Sequence, residues 1–155
     1  MEKTPTVEVQ MKIRKPVSEV FEAFIDPEIT TNFWFTKSSG KLEVGKTVTW
    51  EWEMYGISTP VLTKEILPGK RISMEWGDPV TTVDYEFREL SDGSTYLVIK
   101  NYGFDLEGDE LIEAIKDNTG GFTTVVDELK AYLEYGIRLN LIEDKFPKEV
   151  SDHGK

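Results

Sequence analysis

The sequence contains no cysteine and a single histidine, His153, close to its last residue. The lack of cysteine excludes a disulfide framework, a thiolate metal site and a thiol nucleophile. A serine nucleophile would lack its usual histidine base, and zinc would lack its usual nitrogen ligands. The acidic residues around Gly108 do not have the ligand spacing of a calcium loop. We therefore expect no metal, no cofactor and no assignable catalytic residue.

Basic side chains are also scarce, since 18 lysines and arginines stand against 29 acidic residues, for a net charge of −11. The resulting negative field repels nucleic acid phosphates and anionic lipid headgroups, so we expect neither nucleic acid nor a membrane as a partner. No apolar stretch approaches the length of a membrane span, and the first ten residues, MEKTPTVEVQ, lack the apolar core of a signal peptide. These absences predict a cytoplasmic location.

The length of 155 residues is typical of one domain with a single large core. No internal repeat, low-complexity segment or linker divides the sequence. We expect one domain over residues 1–155, in which residues 144–155 form a polar, flexible tail.

The N-terminal third predicts a strand followed by two short helices. Apolar residues alternate with polar ones from Thr6 to Arg14, which is the pattern of a strand with one buried face. Pro16 suits the start of a helix of about ten residues, in which apolar side chains recur at helical spacing. Asp26 and Pro27 predict a cap and a first turn for a second helix that ends near Asn32.

From Leu42 onward the sequence predicts an antiparallel meander of strands separated by turns. The turn signals are Tyr55-Gly56, Pro68-Gly69, Gly77-Asp78-Pro79 and Asp92-Gly93. Alternation places an aromatic-rich set on one face: Val48, Trp50, Trp52, Met54, Ile72, Met74, Trp76, Val83, Tyr85, Phe87, Leu97 and Ile99. The other face is expected to meet water through Thr49, Glu51, Glu53, Ser73, Glu75, Asp84, Glu86 and Arg88.

After Gly108 the apolar period becomes helical and continues to about Gly136. The adjacent Gly120 and Gly121 cost about 2 kcal/mol relative to alanines in a helix interior, yet we expect one continuous helix with a weak point there. Its apolar stripe is the only one long enough to cover the sheet. The predicted fold is α+β, a helix-grip fold in which a curved antiparallel sheet wraps around a long C-terminal helix.

The number of large rings on the sheet exceeds what one helix usually packs against tightly, which predicts an apolar cavity between the sheet and the C-terminal helix. Its expected occupant is a small hydrophobic molecule, either aromatic or lipid-like. The candidate ligand-binding residues are Trp50, Trp52, Met74, Trp76, Tyr85, Phe87, Ile99, Asn101, Phe122, Val126 and Leu129.

One segment, Gly40 to Thr47, matches the phosphate-binding pattern G-x-x-x-x-G-K-[ST]. That site needs a helix that begins at the lysine, so that its amide groups meet the phosphates. The residues from Thr47 to Glu53 instead alternate and are β-branched or aromatic, which predicts a strand. We therefore interpret the segment as a glycine turn and not as a nucleotide site.

A carboxylate or tyrosine could still act as a general acid or base, and five residues lie on strands near the expected cavity. They are Glu65, Asp84, Tyr85, Asn101 and Tyr102. Alternation directs some of them outward, so a surface acid or a hydrogen-bonding wall residue is the favoured interpretation of each.

Several short motifs, in order along almost the whole chain, resemble those of one family. They are Pro16 to Phe24 with Asp26-Pro27-Glu28, Phe33-Trp34-Phe35, Val44-Gly45, Glu65 to Ile72, Trp76, Gly93-Ser94-Thr95, Gly121-Phe122 and Leu129 to Glu134. The chain thereby resembles the START-like superfamily of polyketide-cyclase and Bet v 1-type proteins, and within it the bacterial proteins similar to the C-terminal domain of the activator of Hsp90 ATPase.

This resemblance implies the helix-grip fold and leaves three functions open. The first is binding of a small hydrophobic ligand, the second is a stress-related interaction with a chaperone protein, and the third is a cyclase or hydrolase reaction that uses a cavity carboxylate. Two positions depart from the family pattern, because Phe122 stands where tryptophan is common and Asn101 where a histidine or an acid is frequent.

Overall fold

A computed structural model describes residues 5–150 of the chain. Seven strands form one antiparallel sheet, in the order β1-β7-β6-β5-β4-β3-β2. The strands are β1 (Thr6–Ile13), β2 (Lys37–Ser38), β3 (Thr47–Trp52), β4 (Ile57–Leu67), β5 (Arg71–Trp76), β6 (Thr81–Glu89) and β7 (Thr95–Tyr102). The helices are α1 (Val17–Ile25), α2 (Pro27–Thr30), α3 (Gly108–Tyr135) and α4 (Leu141–Lys145). The α+β helix-grip fold is confirmed.

The meander runs from β2 to β7, and the first strand closes it by pairing with the last, so that Val9 lies opposite Ile99. The start of α2 follows the predicted cap, since the Asp26 carboxylate accepts a hydrogen bond of 3.0 Å from the Glu28 amide and Pro27 begins the helix. This helix ends at Thr30, slightly before the expected end near Asn32. The strand β3 ends at Trp52 because a 3₁₀ turn follows, which removes Met54 from the sheet face expected for it.

The inner face of the sheet is covered by more than one helix. From α3 it receives Phe122, Val125, Val126 and Leu129, all buried. From the N-terminal helices it receives aromatic rings, among which Phe21 meets Phe87 at 5.1 Å between ring centroids and Phe24 meets Tyr85 at the same distance. The core is therefore filled from both ends of the chain.

The long helix passes through Gly120 and Gly121 without a break, as expected, and ends at Gly136, whose φ of 67° is left-handed. Neither mid-helix glycine is needed for close packing, because a Cβ added at either position meets no atom within 4 Å.

We expect Gly121→Ala to raise the free energy of unfolding by roughly 0.5–1 kcal/mol, since alanine loses less backbone entropy in a helix. Urea denaturation of the two proteins measures the difference. As a control, Gly136→Ala is expected to destabilise the fold, because an alanine at that left-handed φ is strained. A destabilised Gly121→Ala protein would contradict the open space around this position.

The outer face of the sheet differs from the expectation at two positions. Ser73 and Asp84 were expected to face water, but both are buried. The Asp84 carboxylate accepts hydrogen bonds from the Ser73 hydroxyl at 2.7 Å and the Tyr102 hydroxyl at 2.8 Å, and Arg71 Nη2 lies 3.1 Å away. Alternation was right about the face, but the neighbouring strands supply long side chains that lean over Asp84 and exclude water.

The turn between β6 and β7 is held by Asp92, whose carboxylate pairs with Lys12 at 2.8 Å and accepts hydrogen bonds from the amide and hydroxyl of Ser94. These hydrogen bonds, first that from Lys12 and then those from Ser94, hold the pKa of Asp92 well below its ordinary value.

A carboxyl whose pKa falls on folding stabilises the fold above its unfolded pKa and loses that contribution as the pH falls towards the folded value. We therefore expect Asp92→Asn to destabilise the protein at pH 7 and to lose this effect progressively below about pH 4. Thermal unfolding from pH 7 to pH 2 measures it. An effect of equal size at both ends of this range would show that the charge of Asp92 does not matter.

The segment expected to be a flexible tail begins differently in the structure. Asp144 and Lys145 lie in α4, and the carbonyl of Phe146 is 2.8 Å from the Tyr55 hydroxyl. Residues 151–155 of that segment, including His153, lie outside the described residues.

Candidate ligand-binding site

An apolar cavity with two adjoining lobes opens at one edge of the sheet. The first lobe has a volume of about 450 Å³ and the second of about 600 Å³. Trp52, Trp76, Asn118 and Ile142 line both lobes and therefore form the boundary between them. The further apolar walls of the first lobe are Tyr55, Ile57, Pro79, Phe104, Leu106 and Ala114, and those of the second are Trp34, Phe122, Val125 and Phe146.

The antiparallel register explains why these residues meet. Trp52 is the last residue of β3 and pairs with Ile57, the first residue of β4. Trp76 is the last residue of β5 and pairs with Thr81, the first of β6. Both pairs therefore lie at the same edge of the sheet, the one formed by these strand ends. The long helix α3 passes there, and the ring centroids of Phe122 and Trp76 are 5.6 Å apart.

Three of the expected site residues line the cavity, namely Trp52, Trp76 and Phe122. The other eight lie in the packed core and are at most 6% exposed: Trp50, Met74, Tyr85, Phe87, Ile99, Asn101, Val126 and Leu129. The physical reason is that α3 is not the main cover of this part of the sheet, because the segment after α2 also packs on it. Phe35 from that segment stacks on Trp50 at 4.2 Å, and Trp34 lies 4.9 Å from the same ring.

Several residues that line the cavity are not among the expected site residues. Trp34 belongs to an aromatic triplet that was noted only as a family motif. Ile142 and Phe146 are four residues apart, which is the spacing of one helix face, and this apolar pair is the signal that could have identified them, although Phe146 falls within the expected polar tail of residues 144–155. Tyr55 lies in the 3₁₀ turn after β3 and Phe104 in the loop between β7 and α3, where a single aromatic residue gives no periodic pattern.

Of the two polar residues of the expected site, Asn101 supports a cavity wall from behind and Tyr85 lies in the core. The buried Asn101 amide donates hydrogen bonds of 2.9 Å to the Thr81 hydroxyl and to the Thr82 carbonyl, and Thr81 lines the first lobe. Its Oδ1 finds no hydrogen-bond partner within residues 5–150. Tyr85 lies in the core with its hydroxyl 3.5 Å from the Met74 sulfur, and burial raises the pKa of this phenol well above its ordinary value.

The outer wall of the cavity is α4, a short helix tied down by polar contacts. The Tyr55 hydroxyl lies 3.1 Å from the Ile142 carbonyl and 2.8 Å from that of Phe146. The buried Glu128 carboxylate of α3 accepts a hydrogen bond from the Leu141 amide. At the other end of α4, the ammonium of Lys145 donates to the Thr124 hydroxyl at 2.7 Å.

Charged side chains are distributed unequally around the two lobes. The first lobe has Asp78 and Asp105 among its lining residues, and the second has Lys116, Asp117 and Lys145. The remaining wall surface of both lobes is mainly apolar. The arrangement suits a molecule that is mainly hydrophobic and carries a few polar groups.

None of the five acid or base candidates lines either lobe. Glu65, Asp84 and Tyr102 form contacts on the outer face of the sheet, where Glu65 pairs with Arg71 at 2.9 Å. Over residues 5–150, no group of three or more acidic or histidine side chains is arranged to hold a metal ion. The described helices also include none that is both long and apolar enough to cross a membrane.

The segment that matches the phosphate-binding pattern is a turn, as expected. Gly45 has a φ of 81°, its amide donates to the Thr63 carbonyl, and β3 begins at Thr47. Lys46 pairs with Glu43 at 3.0 Å. No helix begins at Lys46, so this segment lacks the free backbone amides of a helix N-terminus that would bind a phosphate.

The family model described as activator of Hsp90 ATPase homolog 1-like protein matches residues 14–134. The chain belongs to this family. The match includes α1, the whole meander and almost all of α3, and it confirms the resemblance inferred from the motifs. A search of curated proteins gave no match.

Several solved structures have this fold and are similar to most of the chain. Protein SSP2350 from Staphylococcus saprophyticus is 28% identical, with a TM-score of 0.75 over 87% of this chain and 96% of its own. The Aha1 dimer from Colwellia psychrerythraea is 14% identical, with a TM-score of 0.73 over 85% of this chain and 98% of its own. DynU16, from the dynemicin biosynthetic locus, is 21% identical with a TM-score of 0.76, over 86% of this chain and 48% of its own. At the identities of the last two, the likeness shows the fold alone.

Proposed function

We propose that this protein binds a small hydrophobic molecule, aromatic or lipid-like, in the two-lobed cavity at the sheet edge. The observation that carries the proposal is the cavity itself, whose exposed wall surface is mainly aromatic and aliphatic and carries a minority of polar groups. Ligand sites in proteins commonly have this composition and a volume of several hundred Å³.

The packing of the core supports the same conclusion. The sheet centre is filled by rings in direct contact, such as Phe35 on Trp50. At the sheet edge, Trp52 and Trp76 are only half-buried, and their ring centroids are 6.5 Å apart. Two partly exposed tryptophans beside an open space leave apolar surface in water, and a hydrophobic ligand would remove it at a gain of about 25 cal/mol per Å².

A titration with N-phenyl-1-naphthylamine, an uncharged aromatic probe, tests the proposal. We expect saturable binding that quenches tryptophan emission, because Trp34, Trp52 and Trp76 all line the cavity. Probe binding without any change in tryptophan emission would place the probe elsewhere, and no saturable binding would overturn the proposal.

Cavity-filling variants sharpen this test. Gly121 and Ala114 line different lobes, and a Cβ at Gly121 enters open space. We expect Gly121→Phe and Ala114→Phe to weaken probe binding about tenfold each, which corresponds to about 1.4 kcal/mol. The Gly121→Ala protein is the matched control, since it changes the helix and fills little of the lobe. Unchanged affinity in both phenylalanine variants would contradict binding in this cavity.

The second candidate function, interaction with a chaperone ATPase, is favoured by the family match alone. Its test is the ATPase rate of the Hsp90 chaperone from the same host, with and without the purified protein. A rate increase that saturates with protein concentration would support it, and an unchanged rate would argue against it.

A further inference from the structure

We infer that the second lobe selects ligands with an anionic end, and that Lys145 is the residue that recognises it. The inference rests on the proposed function and names the ligand class more narrowly: a hydrophobic molecule that carries a carboxylate, sulfonate or phenolate. It follows from two observations. The Lys145 ammonium lies at the wall of the second lobe, and no described acidic side chain forms an ion pair with it.

The ammonium of Lys145 is held at the wall of the second lobe. Its Nζ donates to Thr124 Oγ1 at 2.7 Å, and both residues line that lobe. The Thr124 hydroxyl in turn donates to the Gly120 carbonyl at 2.9 Å, so its oxygen is free to accept from the ammonium. Thr124 is buried on α3, which makes it a fixed anchor for a lysine that is otherwise exposed.

Lys145 has no acidic side chain within ion-pair distance among residues 5–150. The other lysine of the lobe, Lys116, pairs with Glu113 at 3.4 Å. On α3, the buried Glu128 carboxylate accepts a hydrogen bond from the Leu141 amide at the other end of α4. In a chain with a net charge of −11, a cation that is not ion-paired beside an apolar lobe is available to an incoming anion.

The surroundings strengthen such a contact. Phe122 and Val125 line the same lobe and are buried, so a ligand that fills the lobe displaces water beside Lys145 and makes an ion pair stronger than it is in water. A lysine ammonium has three donors, of which Thr124 uses one, so two remain for ligand oxygens. Asp117 also lines the lobe and carries the opposite charge, which favours a ligand whose anionic group sits towards α4.

Two probes with the same ring system test the inference. N-phenyl-1-naphthylamine is neutral, and 8-anilino-1-naphthalenesulfonate adds a sulfonate to the same rings. We expect Lys145→Gln to weaken binding of the sulfonate probe about tenfold, as is typical for loss of a charge-assisted hydrogen bond, and to change binding of the neutral probe less than twofold. Added salt should reduce that difference between the two proteins.

Two further variants separate a direct contact between Lys145 and the sulfonate from a general effect of charge in the lobe. Lys116→Gln removes the same charge from the same lobe, so the long-range field changes equally, and we expect less than a threefold effect on the sulfonate probe. Thr124→Val keeps Lys145 but removes its anchor, and should weaken only the sulfonate probe. Thermal unfolding of each variant checks that the fold is retained.

The outcomes distinguish the two proposals. If Lys145→Gln weakens the binding of both probes equally, the role of Lys145 is only to hold α4 against α3, and the inference is wrong. The same holds if Lys116→Gln and Lys145→Gln have equal effects on the sulfonate probe, or if the neutral probe binds and the sulfonate probe does not. If neither probe binds the native protein, the proposed function itself fails.

Discussion

Replacing Trp50 by alanine is expected to lower the free energy of unfolding by about 3–5 kcal/mol, the range for deleting a large buried ring. The Trp50 side chain is 2% exposed and stacks on Phe35 at 4.2 Å between ring centroids, with Trp34 at 4.9 Å. The surrounding rings come from the sheet and from the chain segment after α2. They are held on different elements, so they collapse only partly into the space left behind. Urea denaturation measures the loss.

The matched control is Trp52→Ala, two residues later on the same strand and the same face. Trp52 lies at the cavity wall and is half-buried, so it loses fewer contacts. We expect a destabilisation of about 1–2 kcal/mol, in proportion to the smaller apolar area that it buries, together with weaker binding of the neutral aromatic probe. Equal destabilisation by the two substitutions would contradict the division into packed core and open cavity.

A loss of about 2–4 kcal/mol is expected when Asp84 is replaced by alanine, because removal of one partner leaves buried polar groups unpaired. The Ser73 and Tyr102 hydroxyls would lose this acceptor, and Arg71 would lose one of its three carboxylate partners. The estimate lies below the full range for buried ion pairs because Arg71 is about one third exposed and regains water. Thermal or urea unfolding at pH 7 measures the change.

Glu86→Ala provides the comparison for Asp84, since it removes a carboxylate from the same strand and the same outer face. Its carboxylate pairs with Arg71 at 3.4 Å and Lys100 at 3.3 Å, but it is 37% exposed. Exposed pairs contribute about 0–1 kcal/mol, so we expect a change of that size. If Asp84→Ala were as mild as Glu86→Ala, the outer-face cluster would be a solvated surface, as alternation alone suggested.

The region matched by the family model does not include all the residues that form the cavity. The family model establishes which fold the residues from 14 to 134 adopt. The cavity also depends on Ile142, Lys145 and Phe146, which lie after the matched region. The C-terminal residues that close the second lobe therefore lie outside the region matched by the family model, and variants of them test the cavity of this chain directly.

Secondary structure was largely determined by local patterns in the sequence. Alternation located β1, and helical spacing located α1 and α3. The turn at Asp92-Gly93 carries its own chemistry, because Gly93 has a φ of 84° and Asp92 accepts hydrogen bonds from Ser94. These features involve residues close to one another along the chain, so the sequence itself contains the information.

The position of the cavity was decided by tertiary structure. Alternation correctly placed Trp50, Trp52 and Trp76 on the inner face, but it could not show which rings would be covered. That depended on Trp34 and Phe35 folding back onto β3 and on α4 packing beside Trp52 and Phe122, contacts between residues far apart in sequence. The same holds for Asp84, whose burial comes from side chains on β5 and β7.

By itself, then, the sequence determined the elements of this protein, their order and the face that each turns inward, because those follow from periodicity and turn chemistry. Only the tertiary structure decided where the apolar interior is solid and where it stays open. That difference arises because packing depends on which distant side chains meet, and a one-dimensional pattern of apolar residues does not specify those meetings.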